Sequence, residues 1–189
     1  MRAQDREALP GDLAIWIFIF AELLVFGILF AVYAFARSAH VALFNQGQAL
    51  LDRRLGLANT LVLITSSYAV ARATEAIHRD RVQACGRWLL AALLLGSLFV
   101  GIKCHEFARD AQAGMNLSHD LFQMFYLSLT GFHFLHVVMG MAILAAVAAK
   151  TFAGGYRAHD CTGVETAGAW WHMVDLVWII LFILVYVLR

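Results

Sequence analysis

The stretch Trp170–Trp178 has the sequence WWHMVDLVW and places a histidine and an aspartate three residues apart inside an apolar run. That run, from Ala167 to Leu188, is long enough to cross a membrane as a helix. An aspartate at the centre of a bilayer costs about 2.5 to 3.5 kcal/mol on insertion scales. His172 and Asp175 therefore predict either hydrogen bonds to another helix or a site of proton exchange.

The whole chain has the composition of a membrane protein. Of its 189 residues, 62% are hydrophobic and 14% are charged, and the mean hydropathy is +0.73. We predict five transmembrane helices, over residues 13–36, 55–71, 88–106, 121–149 and 167–188. The predicted fold is all-α: a cytoplasmic segment over residues 1–12 is followed by one five-helix transmembrane domain over residues 13–189.

The lysines and arginines predict the orientation of this domain. Five spans place the two termini on opposite sides of the membrane, and the more basic side faces the cytoplasm. With the N-terminus in the cytoplasm, eight of the 14 basic residues lie inside: Arg2, Arg6, Arg72, Arg79, Arg81, Arg87, Lys150 and Arg157. We therefore predict a cytoplasmic N-terminus and a periplasmic C-terminus. The net charge of +1 gives no indication of a nucleic-acid partner.

Ionisable residues inside the predicted spans are candidates for function. Glu22 lies roughly 14 Å into the first span at the rise of an α-helix. His133 and His136 lie three residues apart in the fourth span and therefore on one helix face. Together with His172 and Asp175, they could exchange protons within the membrane. Hydrogen bonding between helices is the alternative role for the same residues.

The two histidines of the fourth span could also bind a metal ion or haem. Such a site needs further ligands, and His172, Asp175 and Glu106 are the candidates to complete it. The spacing is weakly specific, because no cysteine or Glu-X-X-His motif accompanies it. We predict no metal site and no catalytic residue, and a haem- or metal-binding electron carrier remains an alternative hypothesis.

Other polar residues lie at the ends of the predicted spans. Lys103, His105 and Glu106 cluster at the end of the third span, where a lysine can extend to water and ions can pair. Glu165 precedes the fifth span, and we predict structural roles for all four residues. The second span is rich in hydroxyl and amide side chains, which predicts that it lies inside the bundle.

Several segments resemble subunit III of the haem-copper respiratory oxidases. They are Thr130–Val137 (TGFHFLHV), Val164–Ala167 (VETA), Trp170–Trp178 and Leu57–Leu61 (LANTL), the last similar to the LNT segment of the family. Glu22 falls where the family has its carbodiimide-reactive carboxyl group, and Glu106 also matches a family glutamate. The resemblance runs along the whole chain but covers only the last five of the family's seven helices.

Five-helix members occur in bacterial quinol oxidases and among small accessory proteins encoded beside nitric oxide reductase, the NorE type. The opening segment Pro10–Trp16 and the closing helix are most similar to the NorE type. The resemblance implies a protein of the bacterial inner membrane without a redox centre or cofactor of its own. It also implies bound phospholipid and a partner, the haem-containing catalytic subunit of an oxidase or of nitric oxide reductase.

In the oxidases such a subunit stabilises its partner and supports proton uptake, and the resemblance implies the same role here. The alternative function is a small proton or solute transporter in which Glu22, His133, His136 and Asp175 form a relay. Transporters of this kind contain broken helices and inverted repeats, and the sequence shows neither signal.

Overall fold

The computed structural model describes residues 12–118 and 120–188. Six α-helices make up most of this part, with a π-helical turn that continues the last of them: α1 (Leu13–Ala39), α2 (Val41–Leu50), α3 (Arg53–His78), α4 (Val82–Gln112), α5 (Leu121–Phe152), α6 (Thr162–Phe182) and the π turn (Ile183–Val187). The predicted all-α class is confirmed. The predicted cytoplasmic segment, apart from Asp12, lies outside the described residues.

Aspartates determine where three of the helices begin. Asp12, Asp52 and Asp120 precede α1, α3 and α5, and each side chain accepts hydrogen bonds of 2.8 to 3.3 Å from backbone N–H groups of the next turn. These bonds satisfy donors that have no partner within the helix. By contrast, α4 and α6 begin after Arg81 and Cys161 without a side-chain bond of this kind.

Four helices are long and apolar enough to cross a membrane: α1, α4, α5, and α6 with the π turn. They contain the first, third, fourth and fifth predicted spans, so the protein is a multi-pass membrane protein. The second predicted span lies within α3, which has 26 residues but a lower hydropathy. Its Asn59, Thr60 and Ser66 are buried in the bundle, as the sequence predicts. That α3 crosses the membrane stays a prediction.

Helix α2 is an element that the hydropathy pattern does not predict. It follows α1 directly after His40 and packs across the beginning of α5. Phe44 is fully buried against the rings of Tyr33 and Phe122. Gly47 lies so close to the Phe122 ring that a Cβ atom there would overlap it. This short helix therefore covers one end of the bundle instead of forming a free loop.

Helices α3 and α6 run antiparallel and contact each other along their whole lengths. Near one end, Gly56 of α3 lies against the ring of Tyr186. One turn further along α3, the indole N–H of Trp178 donates to the Thr60 hydroxyl at 3.0 Å. Near the other end, His78 is hydrogen-bonded to Glu165 at 2.8 Å. The end of the bundle that holds His78 and Glu165 is called the His78 end below.

Large aromatic rings fill the centre of the bundle, where α6 is the most buried span and α1 the least. Trp171 lies between α4 and α5, and both helices present a glycine to it. A Cβ atom at Gly96 or at Gly140 would come within 3.0 Å of the Trp171 ring. The two glycines therefore allow the helices to approach on either side of the indole.

Candidate functional site

Glu22 of α1 and His136 of α5 form a partly buried pair near the middle of the bundle. The His136 Nε2 atom lies 3.0 Å from Glu22 Oε2, and His136 Nδ1–H donates to the carbonyl of Phe132 at 2.7 Å. The rings of Phe26 and Trp170 pack against the imidazole. Because Nδ1 carries a proton, one further proton is shared between Nε2 and the carboxyl group.

The pair retains limited contact with the exterior. The side chain of Glu22 is 19% exposed and that of His136 is 11% exposed. A shared proton next to a partly open surface could be exchanged without moving a helix. The sequence singled out both residues, but it did not predict that they pair across a separation of 114 positions.

His133 occupies a different environment from His136, although the two are one turn apart. Its ring is 1% exposed and lies between the rings of Phe99 and Trp178. Within residues 12–118 and 120–188, neither of its ring nitrogens has a hydrogen-bond partner. The two histidines therefore face different neighbours, α1 for His136 and the α4–α6 side for His133.

His172 and Asp175 both lie on α6 near Ser67 of α3, but they differ in their hydrogen bonding. His172 Nδ1 is hydrogen-bonded to the Ser67 hydroxyl at 2.6 Å, which joins α6 to α3. Asp175 is 4% exposed, and neither carboxyl oxygen has a hydrogen-bond partner in the described part of the chain. The interhelical hydrogen bond expected for this motif is thus formed by the histidine.

A larger polar cluster lies towards the other end of the bundle. Lys103 Nζ donates to Glu106 Oε2 and to the Tyr186 hydroxyl, both at 2.9 Å. The Tyr186 hydroxyl donates to Glu106 Oε1 at 2.7 Å. Tyr126 lies 3.1 Å from Glu106 Oε1 and 2.9 Å from Asp110 Oδ2. These five residues are called the Lys103 cluster below.

The expectation that Lys103 extends to water is wrong. Its side chain is 1% exposed, and its ammonium group is surrounded by aromatic rings at 5.1 to 5.6 Å. The carboxylate of Glu106 and the faces of the aromatic rings interact with the ammonium group in place of water, which compensates for its burial. His105 is exposed and lies outside the cluster, which corrects its assignment to the same group.

Three members of the Lys103 cluster were not predicted. Asp110 lies one turn after Glu106, and this spacing is a local signal that could have identified it. Tyr126 and Tyr186 come from α5 and the π turn, and no local pattern connects them to α4. The π turn brings the Tyr186 hydroxyl within reach of both Lys103 and Glu106.

Glu165 forms a separate cluster at the His78 end, away from the three residues with which the sequence grouped it. It is hydrogen-bonded to His78 at 2.8 Å and lies 3.7 Å from the Cys161 sulfur. The potential metal-ligand atoms of these three residues all lie within 4.8 Å of one another. Holding a cation there would require the His78–Glu165 hydrogen bond to open.

The family model described as cytochrome c oxidase subunit III matches residues 10–189. This chain belongs to that family. The resemblance inferred from the sequence motifs is therefore confirmed for this subunit III chain. Glu22, His136 and the Lys103 cluster all fall within the matched residues.

Relatives from several organisms are similar to this subunit III chain over most of its length. Cytochrome c oxidase subunit 3 of Thermostichus vulcanus is 34% identical over 93% of this chain and 86% of its own length. Cytochrome bo(3) ubiquinol oxidase subunit 3 of Pseudomonas aeruginosa is 28% identical over 92% and 82% respectively. Heme-copper oxidase subunit I+III of Aeropyrum pernix is 30% identical over 92% of this chain and 22% of its own length.

Proposed function

We propose that this subunit III chain is an accessory membrane subunit of a haem-copper respiratory complex whose catalytic chemistry occurs in a partner chain. The family match over residues 10–189 is the observation that carries this proposal. The polar groups inside the bundle support it, because they bind one another. Lys103 forms an ion pair with Glu106, and His136 is paired with Glu22. The Glu22–His136 pair joins α1 to α5.

The partner we propose is the haem-containing catalytic subunit of an oxidase. The relative from Aeropyrum pernix supports this choice, because its name combines subunits I and III and this chain matches 22% of its length. A nitric oxide reductase is the alternative partner, because the opening segment and the closing helix resemble those of the NorE type. We also propose that the membrane is a bacterial inner membrane and that phospholipid binds to the subunit.

We propose further that α3 is a fifth transmembrane helix. At 26 residues it would be about 39 Å long, and it contacts α6 from Gly56 near one end to His78 at the other. A helix that lies against a spanning helix over that length crosses the same thickness of membrane. Its low hydropathy is explained by buried polar groups, which are directed towards other helices.

The basic residues support an orientation with the His78 end in the cytoplasm. Among the described residues, that end carries six lysines and arginines: Arg72, Arg79, Arg81, Arg87, Lys150 and Arg157. The opposite end carries four: Arg37, Arg53, Arg54 and Arg109. Lys103 does not count towards either side, because its charge is paired inside the bundle. The N-terminus would then be cytoplasmic and the C-terminus periplasmic.

Co-purification tests the proposed partner. The tagged chain is isolated from membranes of its native host in mild detergent, and the haem spectrum and partner chains are analysed. We expect a haem-copper catalytic subunit in stoichiometric amount. Recovery of a nitric oxide reductase in its place would establish the alternative partner. Isolation of the chain without any haem protein, although the complex is intact in control preparations, would contradict an accessory role.

A second experiment tests the Glu22–His136 pair as a proton-exchanging group. In Glu22→Gln the amide still hydrogen-bonds to His136 Nε2 but cannot exchange the shared proton. We expect slower proton uptake by the assembled complex with unchanged assembly. Glu165→Gln, at the His78 end, is the matched control. If the purified chain alone produced a steady proton leak in liposomes that Glu22→Gln abolished, the transporter hypothesis would replace the accessory one.

A further inference from the structure

A cavity of about 460 Å³ lies between α1, α3 and α6 and begins at the His78 end. Trp16 of α1 lines one side, while His78 of α3 and His172 of α6 line the others. His172 lies ten residues after Thr162, the first residue of α6, which is about 15 Å along the helix. This space, called the His172 cavity below, therefore extends from the end of the bundle into the depth of the membrane-spanning helices.

The His172 cavity has a polar lining along α3. Thr74 and Glu75 line it from that helix. The Glu75 carboxylate is paired with Arg72 and Arg79, each at 2.6 Å, so charged groups surround this part of the cavity. From α6, His172 adds an exposed imidazole. A cavity of this size with several polar partners is suited to hold water, and it brings that water to the level of His172.

One hydrogen bond leads from the cavity towards a buried acid. The Ser67 hydroxyl lies 2.6 Å from His172 Nδ1, and Ser67 is also a neighbour of Asp175, one turn deeper in α6. Asp175 is 4% exposed, and within residues 12–118 and 120–188 neither of its carboxyl oxygens has a hydrogen-bond partner. Buried polar groups without a protein partner are usually completed by an ordered water. Ser67 is therefore placed between an exposed imidazole and a buried carboxyl group.

The polar path from the cavity ends at Asp175. In the described part of the chain, no basic side chain forms an ion pair with it. Donors at adjoining positions are already used: the Ser66 hydroxyl donates to the Ala92 carbonyl, and the Trp178 indole donates to the Thr60 hydroxyl, both at 3.0 Å. Among these residues, Asp175 thus has a polar connection to one end of the bundle and none to the other.

We propose that Asp175 carries a proton that it exchanges only with the His78 end, through Ser67, His172 and water in the His172 cavity. A carboxyl group without a cationic partner inside a membrane helix is a candidate for proton exchange. This site is separate from the proton pair between α1 and α5. It is a property of the chain by itself and therefore goes beyond the proposed accessory role.

The transfer conserves protons at every step. When the proton of His172 is on Nε2, its Nδ1 atom accepts the proton of the Ser67 hydroxyl. Asp175 replaces that proton on Ser67, directly or through one water, and His172 Nε2 releases a proton to water in the cavity. Asp175 is then a carboxylate and the cavity has gained one proton. The reverse sequence restores the acid.

Infrared spectroscopy of the purified full-length chain in detergent tests the site. The C=O band of protonated Asp175 is the one that disappears in Asp175→Asn, and it shifts in heavy water once the proton exchanges. We expect exchange to slow about 100-fold in Ser67→Ala or His172→Phe, the lower end of what a positioned acid–base group contributes to proton transfer. Ser67→Thr keeps the hydroxyl and should exchange as fast as the unsubstituted chain.

Thr65→Val is the matched control, because Thr65 is exposed on the same helix and its hydroxyl donates to the Leu61 carbonyl. It should leave the exchange rate unchanged. Equal slowing in this control would show that exchange follows a general opening of α3 and would overturn the proposal. An unsubstituted chain without an Asp175 acid band, or with a band that never shifts in heavy water, would also overturn it. So would unchanged exchange in His172→Phe.

Reconstitution into liposomes tests whether the site opens to one end only. We expect no steady proton leak, and a leak that Asp175→Asn abolishes would reveal a second opening and overturn the one-sided site. If Glu22→Gln abolished a leak and Asp175→Asn did not, the accessory role would fail and the Asp175 site would stand. The infrared measurement uses the chain without its partner, so its outcome does not depend on the proposed complex.

Discussion

Individual residues show how burial and pairing change the meaning of a polar side chain in this bundle. Lys103 lies in the last part of a spanning helix, yet it is 1% exposed and directed to Glu106 and Tyr186. A buried pair of ions contributes modestly to stability when intact, but removal of one partner leaves an uncompensated charge. The contribution of Lys103 to stability therefore depends on the presence of Glu106.

Lys103→Met should destabilise the bundle by about 3 to 5 kcal/mol, because Glu106 would remain buried without its cation. Combining it with Glu106→Leu should recover part of that loss, since two apolar groups replace two ions. The measurement is the free energy of unfolding in a denaturing-detergent titration. His105→Ala, an exposed change on the same helix, is the control and should be neutral. A single variant as stable as the wild type would contradict this account.

Cys161, which precedes α6, should react slowly with alkylating agents. Burial raises the pKa of its thiol, and the neighbouring Glu165 carboxylate raises that pKa further. A raised pKa lowers the thiolate fraction at a given pH, so the rate should rise with pH later than for N-acetylcysteine. The measurement is the pH profile of iodoacetamide labelling after Cys85→Ser and Cys104→Ser.

The Glu165→Gln variant should shift the Cys161 profile towards lower pH, because one of the negative charges near the thiolate is removed. Burial is the larger cause of the raised pKa, so the shift should be incomplete. If Cys161 in the chain that keeps Glu165 had the same pH profile as N-acetylcysteine, its pKa would not be raised.

At the scale of elements, close helix approach depends on which glycines face a neighbour. Both Gly96 and Gly101 are in α4, but Gly96 faces Trp171 whereas Gly101 has no atom near its Cβ position. The two sites have the same residue type in the same helix. They differ only in the surface to which they are directed.

Gly96→Ala should destabilise the bundle by about 1 to 3 kcal/mol, since its Cβ atom would lie 3.0 Å from the Trp171 ring. Gly101→Ala is the matched control and should be neutral or stabilising by about 0.5 to 1 kcal/mol through helix propensity. Thermal unfolding of both variants in the same detergent provides the comparison. Equal effects at the two positions would show that the α4 contact with Trp171 is not tight.

At the scale of the whole molecule, the proposed fifth span determines which loops share a side of the membrane. Helix α3 runs antiparallel to α6 and joins the two ends of the bundle. If it crosses the membrane, its ends at Arg54 and Arg79 face opposite compartments.

Cysteine labelling tests this topology. In a chain with its three cysteines replaced by serine, Arg54→Cys should react with an impermeant maleimide from the periplasm. Arg79→Cys should react only after the cytoplasmic side is opened, because the more basic end of the bundle faces inward. Labelling of both positions from one side would exclude α3 as a span.

The sequence by itself determined the all-α class, the positions of four apolar spans and several of the polar residues inside them. Hydropathy over about 20 residues is a local property, so the apolar runs could be located without a structure. The motifs around His133, His136 and Asp175 were also local, and they were sufficient to indicate the family. Helix α2 escaped prediction because its ten residues are too few for a span and its burial comes from Phe122 and Tyr33.

Only the tertiary structure decided which polar groups meet. Glu22 pairs with His136, while His133 and Asp175 lie nearby in sequence or depth without a hydrogen bond in the described part of the chain. Lys103 is buried because α4 is rotated towards Tyr126 and Tyr186, not towards water. Helix rotation and packing distance are set by contacts between segments far apart in the chain, and no local pattern encodes them.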